Sequence, residues 1–292
     1  MKTAVWSFRN HLPFTGLARL TRLPNLVMIA IAQYLAAIFL IGGHADWLQY
    51  LTDYKLFLLV TSTVLIAAAG YMINDYYDVK IDFINKPNRV TVGKVVKRRT
   101  VMAVHILLNF SGIFIGFYLS LTVGVIHLMA AFLLWLYSNQ LKRLPFVGNF
   151  TIALLSGLAI SIVAIYYDSS YMLVNSYALF AFAISLVREI IKDIEDLKGD
   201  ATFGCKTLPI VWGVPRTKNL LYVMVALFTC MLFFVSGVLS NWLLIIYFFT
   251  LLIPISIFAV RLVQADTQYE FSYLSSLCKL IMLGGILSMV LF

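Results

Sequence analysis

An all-α integral membrane protein is the fold class this chain predicts, and three observations predict it. Of 292 residues, 62% are hydrophobic and only 12% charged, with a mean hydropathy of +0.92. Apolar runs of about 20 residues, enough to cross a bilayer, recur along the whole length. The remaining charges gather in alternate connections between those runs. The expected architecture is about nine transmembrane helices bundled around a central cavity, with the N-terminus cytoplasmic.

Residues 1–23 read as an N-terminal interfacial segment and 24–292 as a single transmembrane domain. Arg9, His11, Pro13 and Arg19 interrupt the first stretch, so no removable signal peptide is expected. FTGLARLTRL at 14–23 has the pattern of a short amphipathic helix lying in the interface. Spans are expected at 24–43, 56–74, 101–118, 123–140, 149–167, 172–191, 219–238, 241–262 and 275–292, the third and fourth nearly fused, and Pro254 is expected to kink the eighth.

Charge placement orients the bundle. With the N-terminus inside, 21 of the 22 Lys and Arg residues fall on cytoplasmic segments and helix ends, leaving only Lys55 outside. The net charge of +9 therefore describes one face of a membrane rather than a nucleic-acid surface. A multi-pass protein of the cell's inner or plasma membrane follows, with its chemistry toward the cytoplasm. Cys205, Cys230 and Cys278 lack Cys-x-x-Cys spacing, and His11, His44, His105 and His127 lack ligand spacing, so neither a disulfide framework nor a zinc site is expected.

Two acidic clusters carry the functional signal: Asp75, Asp78 and Asp82 in NDYYDVKID, and Asp193, Asp196 and Asp200 in KDIEDLKGD. Steps of three and four residues place each trio on one helical face, where like charges repel. A carboxylate in a spanning helix costs about 2.5 to 3.5 kcal/mol at the bilayer centre, so such residues are seldom idle. Four kinds of partner fit: protons in a relay, structural lysines and arginines, monovalent ions in a transporter, or divalent ions in a catalytic site. Oxygen-only donors favour a hard cation such as Mg²⁺, and the Asn74 amide joins the first face as a neutral ligand. Lys86 and Arg89 follow the first cluster, Lys198 and Lys206 the second, and Lys142 and Arg143 lie between; such a basic ring suits a metal-bound diphosphate. Tyr71, Tyr76, Tyr77, Trp135 and Tyr137 lie at a depth where ring faces can stabilise a carbocation. Asn149, opening the fifth helix, reads as a helix cap.

NDYYDVKID followed by INKPNR, and REIIKDIEDLKGD followed by KTLP, resemble the two aspartate-rich motifs of the UbiA superfamily of intramembrane prenyltransferases. The resemblance runs from TRLPN at 21–25 through all nine expected helices. It implies a UbiA-like bundle, Mg²⁺ as cofactor, and transfer of a prenyl group from a prenyl diphosphate to a membrane-associated acceptor through an allylic carbocation. Carried over by motif, Asn74, Asp75, Asp78, Asp82, Asp193, Asp196 and Asp200 would hold metal, with Asp78, Asp82, Asp196 and Asp200 catalytic. Arg22, Asn25, Lys86, Arg89, Tyr137, Lys142 and Lys192 would bind substrate.

INKPNR is similar to the branch containing digeranylgeranylglyceryl phosphate synthase and chlorophyll synthase, which implies a geranylgeranyl-type donor and a glycerol-phosphate-type lipid acceptor. VTVG at 90–93 departs from that branch's proline-rich continuation. An aromatic acceptor, as in quinone synthesis, is the alternative. A CDP-alcohol phosphatidyltransferase and a cation-coupled transporter are more remote: the first needs Asp-Gly and Ala-Arg pairs that the chain lacks, and the second has no use for a basic ring.

Overall fold

The computed structural model describes residues 13–43, 46–88, 90–239 and 241–292. Among them nine helices are long and apolar enough to cross a membrane. Immersed in lipid, the backbone must satisfy its own hydrogen bonds, and continuous helices do so.

A short helix α1 (Pro13–Leu20) precedes α2 (Leu23–Leu35), which continues as a π-helical stretch over Ala36–Gly42. The small α3 (Trp47–Thr52) turns the chain into α4 (Tyr54–Asn85). Asp53 caps α4 by accepting from the Lys55 N–H at 2.8 Å. α5 (Arg98–Leu119) and α6 (Leu121–Asn139) are separated by Ser120 alone, whose Oγ accepts from the Val123 N–H. After a 3₁₀ turn at Leu141–Arg143 come α7 (Val147–Tyr167), α8 (Tyr171–Glu195), and the short α9 (Leu197–Thr202) and α10 (Leu208–Trp212). The last spans are α11 (Val214–Val238), α12 (Trp242–Gln264) and α13 (Gln268–Leu287). α12 is one helix through Pro254, and a capping box between Thr267 and Glu270 opens α13.

Three expectations need correction. The second span does not end before its aspartates: α4 runs through all of Asp75, Asp78 and Asp82 to Asn85. The second trio does not share one helix, because α8 stops at Glu195, Asp196 forms the junction, and Asp200 belongs to α9. The 14–23 stretch is helical only to Leu20, which is buried against Met72, Val92, Val96 and Val101.

α4 and α8 are the most enclosed spans. α7 and α13 pack along α8, and α5 and α6 pack along α4. The outer faces of α5, α11 and α12 present Phe110, Phe114, Phe234, Phe249 and Ile253, as a lipid-facing surface requires. Small residues permit the closest approaches. At Gly157 on α7, an added Cβ would lie 2.9 Å from the Ala178 carbonyl oxygen of α8. We therefore expect Gly157→Leu to cost about 1 to 3 kcal/mol by overpacking, seen as a lower unfolding midpoint in detergent. An unchanged midpoint would contradict this packing.

Candidate active site

The ends of α4 and α8 meet through Asn85. Its Nδ2 donates to the Asp196 carbonyl at 2.9 Å and its Oδ1 accepts from the Gly199 N–H at 2.8 Å, tying α4 to the α8–α9 junction. A Cβ at Gly199 would sit 2.4 Å from the Asn85 amide, so any larger residue there would displace that side chain from its bonds. Gln268, opening α13, donates to the Asn85 carbonyl at 3.1 Å. This knot brings the two acidic clusters face to face, with Asp82 and Asp196, and Asp78 and Asp200, close enough for their charges to act on one another.

Cations from other segments meet these carboxylates. Arg22, between α1 and α2, donates to Asp75 Oδ1 at 2.8 Å and lies over the Tyr71 ring at 4.9 Å. Its backbone is left-handed, with φ 52°, a conformation an arginine adopts only where surrounding contacts impose it. Lys142, on the 3₁₀ turn after α6, is paired with Asp78. Lys86, at the C-cap of α4, lies 2.8 Å from Asp196 and 3.2 Å from Glu195. Burial works against its charge, but the two carboxylates outweigh burial and hold its ammonium above the usual lysine value. Asn149 is not a cap: it lies inside α7 and donates to Asp193 Oδ2 at 2.8 Å.

Asp82 and Asp200 have no ion pair among the described residues. Burial, then the charges of Asp196 and Asp78, raise the Asp200 carboxyl to about 7, against the opposing pull of Lys142 and Lys192. Arg89 lies outside the described residues.

Below the mouth opens a cavity of about 250 Å³. Of the expected site residues, Arg22, Asn25, Asn74, Tyr137 and Lys192 line it; none of the six aspartates, Lys86 or Lys142 does, and Asp75 adjoins it through its bond to Arg22. Asn25 donates to the Tyr71 hydroxyl at 3.2 Å, and Lys192 donates to Glu189 at 3.2 Å. Tyr71 and Tyr137 line the cavity as expected. Tyr76, Tyr77 and Trp135 do not: Tyr76 lies under Arg98 and edge-on to Tyr77, and Trp135 packs against Phe132. Tyr177, Phe180 and Phe228 supply aromatic lining that the sequence reading missed, as do the charged residues Arg188, Glu189 and Lys279. Glu189 lies one turn before Asp193 on the same face, and Lys279 is a lone charge in the last apolar run; those were the available signals.

The residues fit a hard divalent cation in donor chemistry, all oxygens drawn from two facing segments. No three His, Cys, Asp or Glu side chains among the described residues form a ready-made coordination cluster; Arg22, Lys142 and Lys86 are paired with Asp75, Asp78 and Asp196.

The family described as the UbiA prenyltransferase family matches residues 26–277. A digeranylgeranylglyceryl phosphate synthase of Thermococcus sibiricus is 35% identical over 179 residues, spanning 61% of this chain and 64% of that protein. One from Saccharolobus solfataricus is 32% identical over 278 residues, covering 94% and 95%. A solved structure of a UbiA homolog from Archaeoglobus fulgidus bound to GPP and Mg²⁺ superposes with a TM-score of 0.64 at 14% identity, covering 94% of this chain and 99% of that one.

The raised Asp200 carboxyl has a measurable consequence. The folded, metal-free protein keeps that proton up to about pH 7, whereas the unfolded chain releases it near pH 4, so the group makes the fold less stable as pH rises between the two. Asp200→Asn removes this loss. In chelator-treated protein the variant should unfold at a higher temperature than the parent at pH 8 and at the same temperature at pH 4; equal midpoints at pH 8 would contradict the buried, repelled carboxylate.

Proposed function

Because the chain belongs to the UbiA prenyltransferase family, we propose that it transfers a prenyl group, of geranylgeranyl type, from a prenyl diphosphate to a glycerol-phosphate-type lipid acceptor. The observation that carries this reading is the pair of facing acidic clusters, ringed by cations, at the mouth of an apolar cavity inside a membrane bundle. The name shared by the matched relatives supports the donor and the acceptor.

Asp75, Asp78 and Asp82 on α4, with Asp193, Asp196 and Asp200 across the mouth, would be the carboxylates to hold Mg²⁺, with Asn74 as their neutral neighbour. Mg²⁺, when bound, supplies positive charge to the diphosphate oxygens. Arg22, Lys86 and Lys142, already paired with these aspartates, would neutralise the remainder of that charge. The allylic carbon–oxygen bond breaks with its electron pair leaving on the diphosphate. The acceptor hydroxyl oxygen bonds to the carbocation and gives up its proton to the departing diphosphate.

The cavity walls protect that carbocation. Ile, Leu, Ala and Phe side chains from α2, α4, α6, α7, α8 and α13 exclude the water that would quench it to an alcohol. Tyr71 and Tyr137 line the cavity, where an aromatic ring can stabilise a carbocation. The surrounding bilayer stores both lipid substrates.

The mouth faces the cytoplasm in this reading. Its basic residues include Lys86, Lys142, Lys198 and Lys206, whereas Lys55 stands at the opposite end.

Two experiments test these proposals. Asp78→Ala and Asp196→Ala should each lower Mg²⁺-dependent diphosphate release by about a hundredfold or more, while the protein still inserts into membranes; full turnover in both would remove these carboxylates from the site. In a cysteine-free background, an impermeant maleimide should label Lys198→Cys only from the cytoplasmic side and Lys55→Cys only from the other. The reverse pattern would invert the topology.

A further inference from the structure

The charged residues lining the cavity are unbalanced. Arg22 is matched by Asp75 at the rim. On the α8 wall, Arg188 lies 2.7 Å and Lys192 3.2 Å from the two oxygens of a single carboxylate, Glu189. From α13, Lys279 joins them with no ion pair among the described residues; its ammonium is within electrostatic reach of Arg188, Lys192 and Arg22, and of Glu189. The next carboxylate along α8, Asp193, does not line the cavity and is held by Asn149. Arg188, Lys192 and Lys279 against Glu189 leave two positive charges uncompensated inside a membrane protein, a costly arrangement unless an anion completes it.

Unused donors mark the same place. Arg188 Nε and Ser185 Oγ are buried without a hydrogen-bond partner. Ser185 is only 4% exposed, lines the cavity, and precedes Arg188 by three residues, so both occupy one face of α8. Gln268 marks the mouth end of α13, and Lys279, eleven residues on, is displaced roughly 16 Å along the helix axis from it. Lys279 therefore lies deeper than Asp196 and Asp200, with Arg188 and Ser185 two and three turns before Asp196 on α8, while Lys192, whose charge still acts on Asp200, stands between this group and the carboxylates that take the leaving group.

We propose that Arg188, Lys192, Lys279 and Ser185 form a phosphomonoester pocket that receives the head group of the acceptor lipid, separate from the site of the donor diphosphate. A phosphomonoester carries close to two negative charges at neutral pH, matching the excess, and its oxygens supply acceptors for the orphan N–H and O–H groups. Glu189 holds Arg188 and Lys192 in position. The pocket makes the acceptor's phosphate, rather than its hydrocarbon tail, the feature selected by the α8–α13 wall. This proposal rests on the lipid-acceptor reading given above.

Lys279→Gln is the informative variant, because it removes a cation without an ion pair and strands no partner; Arg188→Gln, which takes one partner from buried Glu189, risks the fold. Geranylgeranylglyceryl phosphate and its dephosphorylated alcohol are each titrated into detergent-solubilised protein with no donor present. A non-hydrolysable prenyl thiodiphosphate with Mg²⁺ is titrated separately to read the donor site.

The wild type should bind the phosphorylated lipid at least about tenfold more tightly than the alcohol, and Lys279→Gln should erase most of that preference with donor-analogue affinity unchanged within about twofold. No phosphate preference in the wild type, a preference that survives Lys279→Gln, or equal weakening of donor and acceptor analogues would each overturn the pocket. Tighter wild-type binding of a hydroxybenzoate than of the phospholipid would overturn it as well. Product analysis of wild-type turnover tests the acceptor reading by itself: transfer to a different class of acceptor defeats that reading, while the binding comparison still decides the pocket.

Discussion

Neutralising carboxylates at the edge of a hydrocarbon phase is the constraint on which this structure depends. Asp75, Asp78 and Asp196 are each met by a cation from a different part of the chain: Arg22 ahead of α2, Lys142 after α6, and Lys86 at the end of α4. Removing any one of these cations leaves charge in a poorly solvated setting, where uncompensated ions are costly. The same pairings fix geometry. Arg22 sets the entry of α2 beside α4, Lys142 holds the α6–α7 turn over the mouth, and Lys86 joins Asn85 in tying α4 to the α8–α9 junction.

From that rim downward the cavity changes character. Charged groups gather on the α8 and α13 wall, and Ile, Leu, Ala and Phe make most of the rest. A small polar group interrupts the apolar wall, where Gln33 donates to Thr63 at 3.1 Å and to the Ala159 carbonyl at 2.7 Å, and the His127 ring lies 3.3 Å from Thr63. The arrangement separates two demands that conflict in one place. Diphosphate departure needs dense charge and access to water, whereas a carbocation needs neither.

Much of this was legible in one dimension because it depends on local periodicity. Span positions follow from apolar run length, and the common face of Asp75, Asp78 and Asp82 follows from helical geometry in the unbroken α4. The second trio shows where periodicity fails. Its spacing matches the first, yet α8 ends at Glu195, and the Asn85 bonds to Asp196 and Gly199 hold the break. Asn149 looked like a cap because it opens an apolar run; a 2.8 Å bond to Asp193, 44 residues on, gives it another task. Tyr76 and Tyr77 lie between Asp75 and Asp78 in sequence but do not line the cavity, whereas Tyr177 and Phe180 reach it from α8.

The sequence by itself determined the membrane bundle, its spans, and the oxygen-only chemistry of the two acidic motifs, since each is set by residues within a few turns of one another. Only the tertiary structure decided which cation meets which aspartate, which aromatics line the cavity, and that Arg188 and Lys279 share a wall. Those pairings join positions 53, 64 and 110 residues apart for Arg22–Asp75, Lys142–Asp78 and Lys86–Asp196. Their distances depend on how whole helices pack, and on close approaches such as Gly157 to Ala178 and Gly199 to Asn85, which no local pattern encodes.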